Sequence, residues 1–239
     1  MCYSTANRKK REQIEIEYHA KMIEPLEYEP YYHLNGFTYG NLHIIPMDEP
    51  EGIYPASWGL VADWGINDIP AFRKRYNTLN AKSETLLTSN MYKDAARKRR
   101  CLVLADGFFE PHHENGLAIP YFCHIPSEKY ENGSDLFVFA GIYNEIDEGV
   151  YTATILTTEA NEFFAEVHNK RKRMPLILDE FFIEDWLDDL NDQQLNELMS
   201  VSFTTKEFEA YPVSRDFYKK GIDTNKPYIV ERADRDTLF

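Results

Sequence analysis

The chain has 239 residues, a net charge of −14, and 43% hydrophobic and 14% aromatic residues. This size and apolar content suit one domain, placed over residues 1–239, and the acidic balance argues against indiscriminate nucleic-acid binding. No apolar run approaches the ~20 residues of a membrane span, and the N-terminus lacks a signal-peptide stretch, so we expect a cytoplasmic protein without membrane contacts.

The hydrophobic pattern mixes strands and helices without regular βαβ alternation, which favours an α+β fold. Residues 9–22 look helical, and Tyr28–Pro50, rich in Tyr, Pro and Gly, is typical of loops and short extended segments. The predicted strands are Ala56–Val61, Cys101–Ala105, Ile119–Ile125, Leu136–Tyr143, Tyr151–Thr157, Leu176–Leu178 and Tyr211–Ser214. The predicted helices are a turn at Pro70–Arg75, Ser89–Lys98, a helix capped by Thr158, and one or two acidic helices in Asp179–Met199.

Three cysteines, Cys2, Cys101 and Cys123, are too few and too scattered for a disulfide framework or a CxxC metal site. Cys101 and Cys123 lie in apolar, strand-like runs, so we expect both to be buried free thiols. The adjacent His112 and His113 lack zinc-ligand spacing, and no phosphate-binding glycine motif occurs. The sequence therefore predicts neither a metal nor a cofactor.

Cys2 follows the initiator Met1, and methionine aminopeptidase tends to remove Met before a small residue. Removal would leave an α-amine with a pKa of about 7.7–8.0, against about 10.4 for lysine, next to a thiol. Such an amine condenses with an aldehyde, and the thiol can then close a five-membered thiazolidine. The alternative is that cysteine at this position is accidental.

Three further side chains could take part in such chemistry. Asn80 opens a short polar segment that could equally be an ordinary loop or helix start. Glu110 ends an aromatic run, where a raised pKa would suit an acid or base, although a water-facing edge position is the alternative. His168 precedes a basic run and could contact a phosphate or move a proton, or could simply be a surface or capping residue.

Positive charge is concentrated in three clusters despite the acidic net charge. These clusters are Arg73–Arg75, Arg97–Arg100 and Lys170–Arg173. Each could be a solvated surface, or the three could line one anionic groove. Trp58 is more typical of a core residue, whereas Trp64, near a predicted turn, is the better candidate for stacking on a base.

Several motifs occur together in one order along nearly the whole chain. They are Met1-Cys2, Trp58–Leu60, Asn80–Thr85, Arg100–Val103 running into Ala105–Glu110, Phe139–Tyr143, His168 followed by Arg173–Pro175, and Pro212–Ser214. In this arrangement the chain resembles the SRAP (SOS-response-associated peptidase) family, whose members shield abasic DNA.

The resemblance implies a β-barrel-like core flanked by helices and a positively charged groove for single-stranded DNA. It implies that Cys2 forms a thiazolidine with the ring-opened sugar of an abasic site, and that Met1 is removed by peptidase chemistry at the same centre. Asn80 would then orient the N-terminal residue or the open sugar. Glu110 would help to open the sugar and to reverse the crosslink, and His168 would hold an oxygen and shuttle protons.

Two positions depart from the family pattern. Lys82 stands where the family usually has Arg, and Lys contacts a phosphate as a point charge rather than as a bidentate fork. Pro111 stands where the family usually has Trp, and proline stacks poorly on a base. The residues expected to contact DNA are Lys82, Trp64, Arg99, Arg100, Pro111 and Arg173. The expected partners are single-stranded DNA containing abasic sites and the replication machinery, with the protein acting as a monomer in the bacterial cytosol.

Two other functions fit parts of the sequence. A thiol peptidase acting on other polypeptides would use Cys2 as nucleophile and Glu110 or His168 as base. A non-covalent single-strand binder would use the basic clusters and the aromatic residues, and its binding would be salt-sensitive but independent of Cys2.

Overall fold

The computed structural model describes residues 2–23, 28–201 and 205–234. The strands are β1 (Ser4–Asn7), β2 (Lys21–Met22), β3 (Tyr31–Asn35), β4 (Asn41–Pro46), β5 (Gly52–Trp58), β6 (Asn80–Lys82), β7 (Arg100–Ala105), β8 (Gly107–Glu114), β9 (Leu117–His124), β10 (Phe137–Asp147), β11 (Val150–Glu159), β12 (Arg173–Pro175), β13 (Ile177–Leu178) and β14 (Glu209–Pro212). The α-helices are α1 (Arg11–Tyr18), α2 (Ile69–Arg75), α3 (Lys93–Lys98), α4 (Glu162–Val167), α5 (Ile183–Leu187) and α6 (Asp192–Val201).

Five strands close into a barrel in the order β11, β10, β7, β4 and β5. Four of the five seams are antiparallel, and the ring is completed by parallel pairing of β5 with β11, where Trp58 lies opposite Ala153. Beyond β5, the same edge of β11 carries β6, also in parallel. The predicted α+β fold with a barrel-like core is confirmed.

A second sheet holds the N-terminal strand between two neighbours. Its order is β14, β9, β8, β1 and β3, so β1 pairs with β8 on one side and with β3 on the other. Thr5 lies opposite Phe108 and Ser4 lies opposite Asn35. Because both edges of β1 are hydrogen-bonded, the backbone just after Cys2 is held in one position.

One position in the pairing of β1 with β8 has no room for a side chain. Gly107 pairs with Ala6, and a Cβ atom on Gly107 would lie 2.2 Å from the Phe122 ring. Cys101 in β7 and Cys123 in β9 are fully buried free thiols, as predicted. Trp58 is also fully buried, and its indole Nε1 donates to the Leu79 carbonyl at 2.8 Å, which agrees with the core assignment.

Each predicted strand overlaps an observed one, whereas other boundaries needed tertiary information. The Tyr28–Pro50 region contains the strands β3 and β4, which fits the predicted mixture of loops and short extended segments. Thr158 does not cap a helix, because it lies in β11 opposite Met174. The cap of α4 is Asn161, whose Oδ1 accepts from the Phe164 amide at 2.9 Å. None of the helices within the described ranges is long and apolar enough to cross a membrane.

Candidate active site

Four segments of the chain bring Cys2, Asn80, Glu110 and His168 together beyond the Thr5–Phe108 pair, where the pairing of β1 with β8 ends. Cys2 lies two residues before the start of β1, and Glu110 lies in β8, beyond Phe108, which pairs with Thr5. Asn80 begins β6, and its Nδ2 donates to the Cys2 carbonyl at 2.8 Å. Asn80 Oδ1 is buried and accepts no hydrogen bond within the described part of the chain. The amide therefore holds the Cys2 backbone and keeps one acceptor available.

Glu110 and His168 form a buried pair. Glu110 Oε2 lies 3.2 Å from His168 Nδ1, and both side chains are almost completely buried. The same Nδ1 lies 3.1 Å from the Arg173 carbonyl oxygen. Because a carbonyl oxygen only accepts, Nδ1 must carry the hydrogen, and this assigns the tautomer of the imidazole.

Burial moves the pKa values of this pair in opposite directions. It raises the pKa of Glu110 to about 7 and lowers the pKa of His168 to about 4. Near neutral pH the imidazole is therefore uncharged, and the carboxyl group is close to half protonated. Because the imidazole is uncharged, the contact between Glu110 and His168 is not an ion pair.

Cys2 is fully buried, and its Sγ donates to the Ser4 carbonyl at 3.6 Å. Burial raises the pKa of the thiol well above its ordinary range, and the Glu110 charge raises it further. The thiol is therefore protonated at neutral pH, which makes it a poor nucleophile by itself. Met1, whose removal the sequence predicts, lies outside the described residues.

A cavity of about 570 Å³ lies directly beside this group. Glu110 and His168 form part of its wall, together with the basic residues Lys170 and Arg171. Both cations are exposed, and neither has an ion-pair partner in the ranges that the structure describes. The aromatic residues of the wall are Tyr3, Phe37, Phe109, Phe217 and Tyr218.

The residues predicted to contact DNA separate into two places. Pro111 lines the cavity, and Lys82 is exposed two positions after Asn80 on the same short strand. Trp64 and Arg99 line a different cavity of about 50 Å³, where Arg99 pairs with Asp63 at 3.2 Å. Their contact with DNA stays a prediction, but the structure does not bring them to the cavity beside Glu110.

Arg100 requires a correction. Its side chain is fully buried, and its guanidinium donates to the carbonyl groups of Ala96, Arg97, Trp186 and Asp188. A guanidinium enclosed in this way is not available to DNA, so Arg100 has a structural role in joining β7 to α3 and α5.

Arg173 is also engaged within the protein. Its guanidinium makes a two-pronged contact with Glu84 and donates to Thr157, and the side chain is only 15% exposed. Its carbonyl accepts the His168 Nδ1 hydrogen. In this structure Arg173 therefore positions His168, and any contact with DNA would require the Glu84 pair to open.

Most of the aromatic residues of the cavity wall stand in no motif of the sequence. Phe217 and Tyr218 belong to a short 3-10 helix, Arg215–Tyr218, and Phe217 stacks on His33 with ring centroids 4.5 Å apart. His33 Nε2 in turn lies 3.0 Å from the Ser4 hydroxyl. The aromatic residues of this wall come from distant parts of the chain, and no motif of the sequence connects them.

Comparison with known proteins finds relatives that cover most of the chain. A family model described as SOS response associated peptidase (SRAP) matches residues 1–220. The abasic site processing protein HMCES of Gallus gallus is 35% identical over 176 residues, which are 66% of this chain and 51% of that protein. The abasic site processing protein YoqW of Bacillus subtilis is 30% identical over 179 residues, or 73% of this chain and 74% of that protein.

A solved structure extends the likeness to nearly the whole chain. The crystal structure of a Bacteroides thetaiotaomicron protein superposes with a TM-score of 0.83 at 30% identity, covering 97% of this chain and 100% of that one. This chain spans about half the length of the Gallus gallus relative. Taken with the family match over residues 1–220, these findings show that the chain belongs to the SOS response associated peptidase (SRAP) family.

Proposed function

We propose that this protein processes abasic sites in single-stranded DNA by crosslinking to them through Cys2, after Met1 has been removed. The observation that carries the proposal is the position of the Cys2 backbone, which Asn80 holds at 2.8 Å at the edge of a cavity lined by Glu110 and His168. The names of the relatives, which are abasic site processing proteins, support the same substrate.

The reaction begins with opening of the sugar, because an abasic site is mostly a closed hemiacetal. Glu110, with a pKa of about 7, is suited to give and take protons in this step. The neutral α-amine of Cys2 attacks the aldehyde carbon, and a protonated Glu110 helps the carbinolamine to lose water as the Schiff base forms. The thiol sulfur then bonds to the same carbon and its proton passes to the nitrogen, which closes the thiazolidine.

The neighbouring groups fit an amine-first order. Asn80 Oδ1 is a free acceptor close to the Cys2 backbone, where it can orient the amine. His168 Nδ1 is occupied by the Arg173 carbonyl and Glu110, so proton exchange with the sugar would use Nε2. Lys170 and Arg171 supply positive charge for the flanking phosphates.

The thiol peptidase alternative requires an activated thiolate. Cys2 Sγ instead donates to the Ser4 carbonyl, and burial raises the thiol pKa, so this arrangement favours attack by the amine. Removal of Met1 at the same centre remains part of our proposal. Turnover of peptide substrates by the purified protein would support the wider peptidase role.

Cys2→Ala tests the proposed crosslink directly. Purified protein and single-stranded DNA containing an abasic site should give a heat-resistant covalent band on a denaturing gel. Cys2→Ala should give none, because the ring cannot close without the thiol. Cys2→Ala and Cys2→Ser both keep the α-amine, so each should give a stable band only when borohydride reduces the Schiff base.

Cys101→Ala is the matched control, because Cys101 is an equally buried free thiol in the barrel. It should crosslink like the wild-type protein. Equal covalent yields from wild type and Cys2→Ala would contradict the proposal, and salt-sensitive binding without any covalent product would favour the non-covalent alternative. Intact mass would establish whether Met1 has been removed.

Tyr218→Ala is expected to weaken DNA binding. The Tyr218 ring is 45% exposed in the cavity wall and packs edge-on against Phe217, with centroids 5.1 Å apart. Stacking of one base on an aromatic ring contributes ~1–3 kcal/mol, so we expect affinity to fall roughly 5- to 100-fold. Binding of Cys2→Ala protein to DNA with a reduced, unreactive abasic analogue measures this separately from the chemistry.

Tyr218→Phe keeps the ring and should retain most of the affinity. Phe181→Ala removes an aromatic side chain that is 83% exposed but outside the cavity lining, and it should have no effect. If Tyr218→Ala and Phe181→Ala bind equally well, Tyr218 does not contact the bases.

A further inference from the structure

We propose that the same cavity also accepts free phosphorylated aldoses, which Cys2 captures as thiazolidines in competition with abasic DNA. This inference rests on the proposed function, because it uses the same α-amine and thiol. It goes further in naming a small-molecule ligand class. A lesion in DNA and a free sugar phosphate share a masked aldehyde close to a phosphate.

The dimensions of the cavity suit a small ligand. Its volume of about 570 Å³ falls within the ~300–1,000 Å³ range of small-molecule sites. Tyr3, Phe37 and Tyr218 offer ring faces against which the C–H groups of a sugar can pack. Glu110 and His168 share this cavity wall with the basic residues, and the wall begins at Tyr3, the residue after Cys2.

The charges of the wall select an anion. The other arginines of the two clusters richest in charge are engaged: Arg97 pairs with Asp192, Arg99 with Asp63, and Arg173 with Glu84. Lys170 and Arg171 line the cavity and have no such partner among the described residues. In a chain with a net charge of −14, two unpaired cations at one cavity provide a specific place for a phosphate.

Arg171 lines the same cavity as His168 and Tyr3. Burial lowers the pKa of His168, and the Arg171 charge lowers it further. Burial raises the pKa of Tyr3, the residue that follows the nucleophile, and the Arg171 charge opposes this rise. The Arg171 charge therefore affects both His168 and Tyr3. A phosphate bound to Arg171 would hold a short sugar chain near the residue that follows Cys2.

The capture is balanced without an oxidant or a reductant. The α-amine forms a C–N bond to the aldehyde carbon of the open-chain sugar, and one water leaves as the Schiff base forms. The thiol then forms a C–S bond to the same carbon, and its proton moves to the nitrogen. The product has the mass of protein plus sugar phosphate less one water. It blocks the amine and thiol that abasic DNA would use.

The test uses full-length protein that has lost Met1, with 2-deoxyribose 5-phosphate as the probe and intact mass as the readout. We expect the adduct to form, to be absent from Cys2→Ala, and to reduce later crosslinking to abasic DNA. Unphosphorylated 2-deoxyribose should react roughly 10- to 100-fold more slowly, because charge-assisted contacts to the phosphate are lost.

The double variant Lys170→Gln/Arg171→Gln should remove most of this preference for the phosphorylated sugar. Lys74→Gln/Arg75→Gln is its matched control, since it removes two exposed cations that do not line the cavity. Equal rates for the two sugars would overturn the inference, because they would show aldehyde chemistry without a site. DNA crosslinking without any sugar phosphate adduct would overturn it too, while leaving the proposed function intact. If neither abasic DNA nor the sugar phosphate reacts with the protein, both the inference and the proposed function fail.

Discussion

Replacing Glu110 with Gln is expected to lower the rate of crosslinking about 100-fold or more, the usual contribution of a positioned acid or base. Gln has nearly the same shape and can still accept a hydrogen bond from His168, but it cannot donate and recover a proton. The rate with single-stranded abasic DNA, followed by quenching and gel separation, measures the loss.

The pH profile identifies the group more specifically than the rate does. The pKa of Glu110 is about 7, so its protonated form is abundant below that pH and is lost above it. The α-amine, with a pKa of about 7.7–8.0, becomes reactive as pH rises. Wild-type protein should therefore show a bell-shaped profile with its maximum near these values. Glu110→Gln should lose the alkaline fall and level off above about pH 8.

The stability of Glu110→Gln shows whether its lower crosslinking rate could result from unfolding. Burial raises the pKa of Glu110 above its value of about 4.3 in an unfolded chain, so the carboxyl group lowers stability as pH rises through this interval. Glu110→Gln should therefore be at least as stable as wild type near pH 8, with a gain on the order of 3 kcal/mol. Glu114→Gln, on the same strand outside the cavity lining, should change neither rate nor profile. An unchanged bell-shaped profile in Glu110→Gln would exclude Glu110 as the acid.

The sequence allowed the site residues to be named but not their surroundings. Asn80, Glu110 and His168 stand in recognisable motifs, and each reaches the site from a different element. Apolar, strand-like runs predicted four of the five barrel strands, whereas β4 falls in a region predicted to hold loops and short extended segments. Their closure depends on parallel pairing of β5 with β11, a contact between residues about a hundred positions apart. Nothing in either segment alone indicates that pairing.

A basic run in the sequence does not show which groups its side chains will contact in the fold. Arg100 and Arg171 both stand in basic runs, yet Arg100 is enclosed by carbonyl groups and Arg171 lines the cavity. The difference arises because Arg100 begins a barrel strand packed under α5, whereas Arg171 lies in the exposed turn between α4 and β12. Thr158 illustrates the same limit, since its ladder with β12 outweighed a local capping signal.

Asp106 carries the second large effect, although its sequence context predicts only a turn before β8. Its carboxylate is fully buried and accepts from Lys9 Nζ at 3.1 Å, from Arg8 Nε at 3.1 Å and from Asn132 Nδ2 at 2.8 Å. Lys9 is itself only 1% exposed. This cluster ties the segment after β1 to the junction of β7 and β8, and so holds the strand that carries Cys2.

Asp106→Ala is expected to lower the free energy of unfolding by about 3–5 kcal/mol, because it leaves the Lys9 ammonium buried without its counter-ion. For a chain of this size the midpoint of thermal unfolding should fall by roughly 6–20 °C, as followed by circular dichroism. Crosslinking should fall as well, since β1 loses an anchor. Asp216→Ala removes a partly exposed carboxylate paired with Lys219 and should lower the free energy of unfolding by less than ~1 kcal/mol.

The double variant Lys9→Met/Asp106→Leu tests whether the loss of stability comes from a missing counter-ion or from lost packing. Apolar residues of similar volume remove the charges of Lys9 and Asp106 and leave Arg8, 7% exposed, as the remaining cation, so we expect the double variant to be more stable than Asp106→Ala. Arg8 keeps its hydrogen bond to the Ser134 hydroxyl at 2.6 Å, which limits the cost of losing the carboxylate. If Asp106→Ala unfolds at the wild-type temperature, the cluster does not hold β1. If the double variant is less stable than Asp106→Ala, the cost lies in the packing and not in the unpaired charge of Lys9.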